Sequence, residues 1–137
     1  MSLKTKPTAR KASAKKPNSS SGKKPVLKQR SGRWIQAVRL NAGFTQHDFS
    51  LVTGYAVRSI AGWEAGKPLS ASAKLKMQEM KRLVDALLQI LPADQLKNWL
   101  KQPNTAFEGR TPMDVMENGE SDRLWQMIHE IDANVAN

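Results

Sequence analysis

The chain has 137 residues, 39% of them apolar and 25% charged, with four Trp, enough for one domain with a modest core or two very small domains. It has no Cys, which excludes disulfides and thiolate metal sites, and no long apolar run, which argues against a membrane-spanning helix. Its net charge of +10 is concentrated at one end: residues 1–33 hold eleven Lys and Arg and no acid, leaving a net of −1 for the rest.

Beside its cations the first segment is rich in Ser, Pro, Ala and Thr and holds almost nothing large and apolar. It cannot bury enough surface to offset chain entropy, so a disordered basic arm is predicted over residues 1–31. Such an arm neutralises phosphates and releases counterions, raising affinity for any DNA in a salt-dependent way; a merely solvated tail is the competing reading. The lack of an apolar stretch and the excess of Lys over Arg argue against a targeting peptide. From Gly32 to Ala42 the pattern Trp34, Ile35, Val38 and Leu40 predicts a first helix, stopped by Asn41-Ala42-Gly43.

The next stretch, Phe44 to Lys67, is the most informative. Thr45 can accept the backbone N–H of Asp48 while the Asp48 carboxylate reaches back to Thr45, a capping box, and Phe44 and Phe49 can close around it as a hydrophobic staple. Gly54 suits the left-handed turn that ends this helix. A second helix from about Ala56 to Ala65 puts Ala56, Ile60 and Trp63 on the core side. Arg58, Ala61 and Gly62 lie opposite, with Val57 at the margin. Gly62 inside a helix costs about 1 kcal/mol relative to Ala, which a close approach to DNA, or to a neighbouring helix, would explain. Two short helices joined by a glycine turn are the layout of a helix-turn-helix DNA reader.

Thr45, Gln46, Gly54, Ile60, Trp63, Glu64, Gly66 and Lys67 together resemble the Xre-type (Cro/repressor-like) helix-turn-helix proteins. The resemblance implies that Gln46 meets a phosphate or base, and that Val57, Arg58, Ala61 and Gly62 ride in the major groove of double-stranded operator DNA. Ser59 and Lys67 complete the expected DNA-binding set. It also implies that Arg39 pairs with Glu64 between helices, and that the protein acts as a homodimer on two half-sites. The chain departs from the family at Ala56, where a capping Ser is usual and whose loss costs about 1 kcal/mol, and at Ser50, which replaces a small apolar residue.

After Gly66-Lys67-Pro68, Ser70 or Ser72 can cap a long helix running to Ile90. Its Met77, Met80, Val84, Leu87, Leu88 and Leu91 form one apolar stripe, either intradomain core or part of a dimer seam. A short helix over Pro92 to Lys101 carries Leu96, Trp99 and Leu100. Thr111 and Pro112 open another, with Asp114 in its first turn and Gly119 at its end. Ser121 and Asp122 start the last, with Leu124, Trp125, Ile128 and Ile131 on one face. The predicted fold is therefore all-α.

The ordered series Trp99, Leu100, Pro103, Asn104, Phe107, Gly109, Pro112, Met116, Gly119 and Glu120 resembles the C-terminal toxin-binding domain of ParS/MbcA-type antitoxins. With the upstream motif, the resemblance implies three parts: the arm over 1–31, an Xre-type helix-turn-helix bundle over 32–69 and a small helical toxin-binding domain over 70–137. It implies a type II antitoxin that blocks a cognate toxin of NAD-consuming or ADP-ribosyltransferase type and represses its own operon, in the bacterial cytoplasm beside the nucleoid. Asn104, Phe107, Glu108, Arg110, Glu120, Arg123 and Glu130 are the candidate toxin-binding residues. From Pro103 onward two Arg stand against seven Asp and Glu, a polarity that suits a basic, dinucleotide-holding pocket in the partner. Read without the resemblance, the same Gly and Pro are turn-makers and the aromatics core fillers.

An enzyme is not expected. His47 and His129 are the only histidines and neither has a partner at metal-ligand spacing. No glycine-rich phosphate loop is present, and no cofactor, metal or small-molecule substrate is implied. The alternative function is a stand-alone helix-turn-helix regulator or nucleoid-type DNA-binding protein whose second half only dimerises.

Overall fold

The computed structural model describes residues 23–136, which form seven α-helices and one short 3-10 turn. In chain order these are α1 (Lys23–Asn41), α2 (Gln46–Thr53), α3 (Val57–Glu64), α4 (Ala71–Leu88), α5 (Ala93–Leu100), the turn Thr105–Phe107, α6 (Pro112–Glu117) and α7 (Ser121–Ala136). The all-helical expectation holds. Residues 1–22 of the expected arm lie outside the described residues; from Lys23 the chain is already helical, upstream of the Gly32 start. Pro25 falls in the first turn of α1, where the missing N–H costs no intrahelical bond.

Capping chemistry sets most helix ends. Thr45 and Asp48 make the capping box of α2, at 3.0 Å and 2.9 Å, Phe44 and Phe49 stack with centroids 6.5 Å apart, and Gly54 closes the helix at φ 83°. Thr53 strengthens that turn: its hydroxyl donates to the Phe49 carbonyl at 2.7 Å and accepts the Tyr55 N–H at 3.3 Å. Ser70, not Ser72, caps α4. Thr111 and Asp114 form a second capping box on α6. Ala56 gives α3 no side-chain cap, as its side chain dictates.

One hydrophobic core runs through both halves, from Ile35, Phe49 and Ile60 to Leu96, Phe107, Val115 and Leu124. The stripe of α4 faces it through Met77, Met80, Val84 and Leu87, joined by Ala73 and Leu83; Leu88 and Leu91 are only half-buried. Leu40, part of the apolar pattern that predicts the first helix, is 51% exposed, because it lies two residues on from the buried Val38, about 200° round the helix. The change of role at 69/70 is thus not a break in packing. α2 packs against α3 and against α6 of the second half.

Lys101 fastens the halves together from the end of α5. Its ammonium donates to the Gly43 carbonyl at 3.1 Å and pairs with the Asp48 carboxylate at 3.1 Å, while the Lys97 stem lies against Gly43. Burial works against the Asp48 charge, but the Thr45 N–H and the Lys101 ammonium outweigh it, holding that carboxyl below its ordinary range.

Candidate functional site

Helix α3 is held from behind by a pair that the sequence places 25 residues apart. The Arg39 guanidinium donates to Glu64 through Nε at 2.7 Å and Nη2 at 2.9 Å, and to the Phe44 carbonyl at 3.1 Å. Both side chains are nearly out of solvent, 10% and 5% exposed, so the fork-shaped contact is protected from screening. α1 also comes very close to the end of α3: a methyl group at Gly32 would stand 2.7 Å from the Trp63 and Glu64 carbonyl oxygens. Ile60 and Trp63 are buried, and Tyr55 meets Trp63 edge-on at 5.1 Å. The orientation of α3 is therefore fixed by an ion pair, a backbone contact and an aromatic pair.

On the opposite side Val57 and Arg58 are exposed, Ser59, Ala61 and Gly62 are half-buried, and Lys67 is exposed. Among the described residues nothing seals the Arg58 face. Gly62 proves to be covered by a side chain and not by another helix: the Lys67 stem lies over it, 3.1 Å from where a methyl would be. The Lys67 N–H also closes α3 on the Gly62 carbonyl at 2.9 Å, which sets the cation at the edge of the Arg58 face. Gln46 is engaged differently from the expectation. Its amide donates to Glu64 Oε1 at 3.1 Å, making it a third member of the Arg39–Glu64 scaffold. His47 beside it is exposed.

The second cluster lies around α6. Arg110 makes a two-pronged contact with Glu120, at 3.0 Å and 3.1 Å, so the residues just before and just after α6 clasp its two ends. Arg123 makes the same kind of contact with Glu108, at 2.8 Å and 2.7 Å, and donates to the Ala106 carbonyl at 3.0 Å. Longer cross pairs of 3.8 Å join Arg110 to Glu108 and Arg123 to Glu120. The guanidinium hydrogen bonds, opposed by modest desolvation and helped by Coulomb attraction, hold the Glu108 and Glu120 carboxyls below their ordinary range. The carboxylates in turn raise Arg110 and Arg123 further. Glu108 is the one described non-glycine residue at positive φ, 58°, a conformation L-residues avoid and that Arg123 helps to retain.

Of the seven candidate toxin-binding residues, Glu108, Arg110, Glu120 and Arg123 thus converge. Phe107 is 2% exposed and lies beneath as the platform for Arg123, whose guanidinium sits 5.3 Å from the ring centroid. It is too deep to touch a partner directly. Asn104 caps the 3-10 turn by accepting the Ala106 N–H at 2.9 Å. Glu130 is exposed and shares a shallow recess with Arg123 and Met127. Sequence reading missed the Lys101 clamp and Gly32, because neither has a partner nearby in the chain.

The family described as "Antitoxin Xre/MbcA/ParS C-terminal toxin-binding domain" matches residues 86–133, which contain the whole ion-paired cluster. The "Mycobacterial cidal antitoxin MbcA" of Mycobacterium tuberculosis and that of Mycobacterium bovis are each 32% identical over 87 residues, covering 63% of this chain and 77% of theirs. The chain belongs to the Xre/MbcA/ParS antitoxin family. A chain in the crystal structure of the M. tuberculosis MbcT-MbcA toxin-antitoxin complex superposes with a TM-score of 0.62 at 28% identity, over 76% of this chain and 95% of that one. No helix among the described residues is long and apolar enough to cross a membrane.

Proposed function

We propose that this antitoxin neutralises a cognate toxin by protein-protein binding and represses its own operon through α3, working in the bacterial cytoplasm at the nucleoid. Membership in a family whose matched segment is named for toxin binding supports the first role. The single observation that carries it is that the four-residue ion cluster stands on the surface of that segment, pre-ordered by mutual pairing. A partner with a basic pocket meets Glu108 and Glu120 already held in place, at little further entropy cost, with the exposed Glu130 beside them. Such a pocket is what a toxin acting on NAD or transferring ADP-ribose needs for the substrate's phosphates.

The exposed Arg58 side of a rigidly braced α3 supports the second role. As a homodimer the protein would set two such helices into major grooves about 34–36 Å apart, with Arg58 as base reader and Ser59, Lys67 and the basic arm on phosphates. Gln46, tied to Glu64, contributes mainly by fixing α2 against α3. Co-expression with the product of the neighbouring reading frame tests the reading: rescue of growth and co-purification are expected. Failure of both would remove the toxin role. Binding to the upstream operator with no advantage over random DNA would remove the repressor role.

A further inference from the structure

Between the end of α4, α5 and the outer side of α7 the surface opens into a recess of about 240 Å³. Ile90, Leu91, Trp99, Met127 and Ile131 line it, and Asn104 is its one polar lining residue. Those five apolar side chains are only half-buried, so the chemistry of the core continues out to solvent here. The Asn104 side-chain oxygen Oδ1 is already occupied by the Ala106 N–H. The recess exceeds the roughly 150 Å³ cavity that holds a benzene ring, and its walls ask for little besides apolar contact. Uncovered apolar surface of this kind marks an interaction site.

Two observations select the occupant. Every residue lining the recess lies within 86–133, the segment matched to the toxin-binding domain. Met127 also lines the neighbouring recess with Arg123 and Glu130, so the apolar slot and the ion cluster form one surface across α7. On its flank Glu108 is neutralised by its pairing with Arg123, whereas Glu130 is exposed and makes no ion pair among the described residues, so the charge left over is negative. Two copies of this chain meeting here would bring like charges together, whereas a cationic partner would be drawn in.

We propose that the slot is the apolar anchor of the toxin interface, receiving one large hydrophobic side chain of the toxin from a segment whose neighbouring residue is cationic and meets Glu108 or Glu130. The assignment rests on the antitoxin reading and deepens it, placing the dominant contact in a dry pocket beside the charges and leaving the ion cluster to orient and select. It brings in Trp99, Met127 and Ile131, none of which the charge argument reaches.

The test uses the full-length protein and the purified product of the neighbouring reading frame. Ile131→Glu and Met127→Glu should each weaken binding by more than about tenfold, with unchanged helical circular dichroism and thermal melting. Met127→Leu, which conserves volume, should bind within about twofold of wild type. A measurement needing no disruptive variant accompanies these: the Met127 methyl NMR signal, assigned through Met127→Leu, should shift when the toxin is added. Full binding by both folded Glu variants, or an unmoved Met127 methyl in the complex, overturns the slot while the antitoxin reading stands. Loss of self-association in place of toxin binding also overturns it. Failure of the wild-type chain to bind the toxin overturns both.

Discussion

In the front half the principal ion pair, Arg39 with Glu64, is turned inward at 10% and 5% side-chain exposure, whereas in the back half Arg110, Arg123, Glu108 and Glu120 pair on the surface at 33–66%. Depth decides what each arrangement is for. A protected pair is costly to break and fixes geometry; a solvated pair adds little to stability and stays available to a partner. The front half uses charge to hold a helix still and leaves the proposed DNA face of α3 unpaired among the described residues. The back half keeps its charges on the proposed toxin-facing surface and relies on apolar packing for its shape.

Breaking the inner pair should give the largest effect. Arg39→Ala leaves Glu64 largely buried without its main partner and should destabilise the protein by about 3–5 kcal/mol in urea unfolding. Replacing Arg39 and Glu64 together with apolar residues should recover much of that loss. A similar cost for a surface Arg110→Ala would erase the contrast between the halves. Gly32→Ala comes next. Its methyl would press on two backbone carbonyls that cannot rotate away, so a loss of about 1–3 kcal/mol is expected by thermal melting.

Arg58→Ala should leave stability unchanged and weaken operator binding by about 1–3 kcal/mol if the side chain reads a guanine. Equal weakening on random DNA, measured by titration at fixed salt, would make it a phosphate contact. The smallest effect concerns acid. The Asp48 carboxyl is depressed in the folded protein, so the stability it contributes is complete above its unfolded value of 3.8 and is lost as pH falls through the lower folded value. Asp48→Asn should therefore flatten the loss of stability on acidification below about pH 4; an unchanged acid profile would show that the Lys101 contact carries no linkage.

What could be read in advance was what is local or ordered along the chain. The Thr45–Asp48 box, the Phe44–Phe49 staple and the Gly54 turn lie within a few residues of one another, and period and capping suffice to find them. Arg39 with Glu64 came from family resemblance, since nothing nearby in the chain marks the pairing. The acidic character of the second half was visible, but not that Arg110 and Arg123 would each choose a different Glu, which depends on the turn at Glu108 and on α6 setting the ends of its clasp face to face. The DNA contact expected of Gln46 rests on the family resemblance, and its place beside Thr45 gives no sign of the Glu64 carboxylate 18 residues away. Phe107 was placed on the interface because burial cannot be told from an aromatic in a turn-rich segment.

Lys101 bears on how such proteins diversify. Because a side chain from the back half terminates on the backbone and the capping acid of the front half, a hybrid joined near Pro68 from two relatives would strand this lysine opposite a foreign loop and misfit the shared core. The front and back of this antitoxin are not interchangeable cassettes: a new binding specificity in either half has to be acquired by changing surface residues in place, with the seam inherited whole.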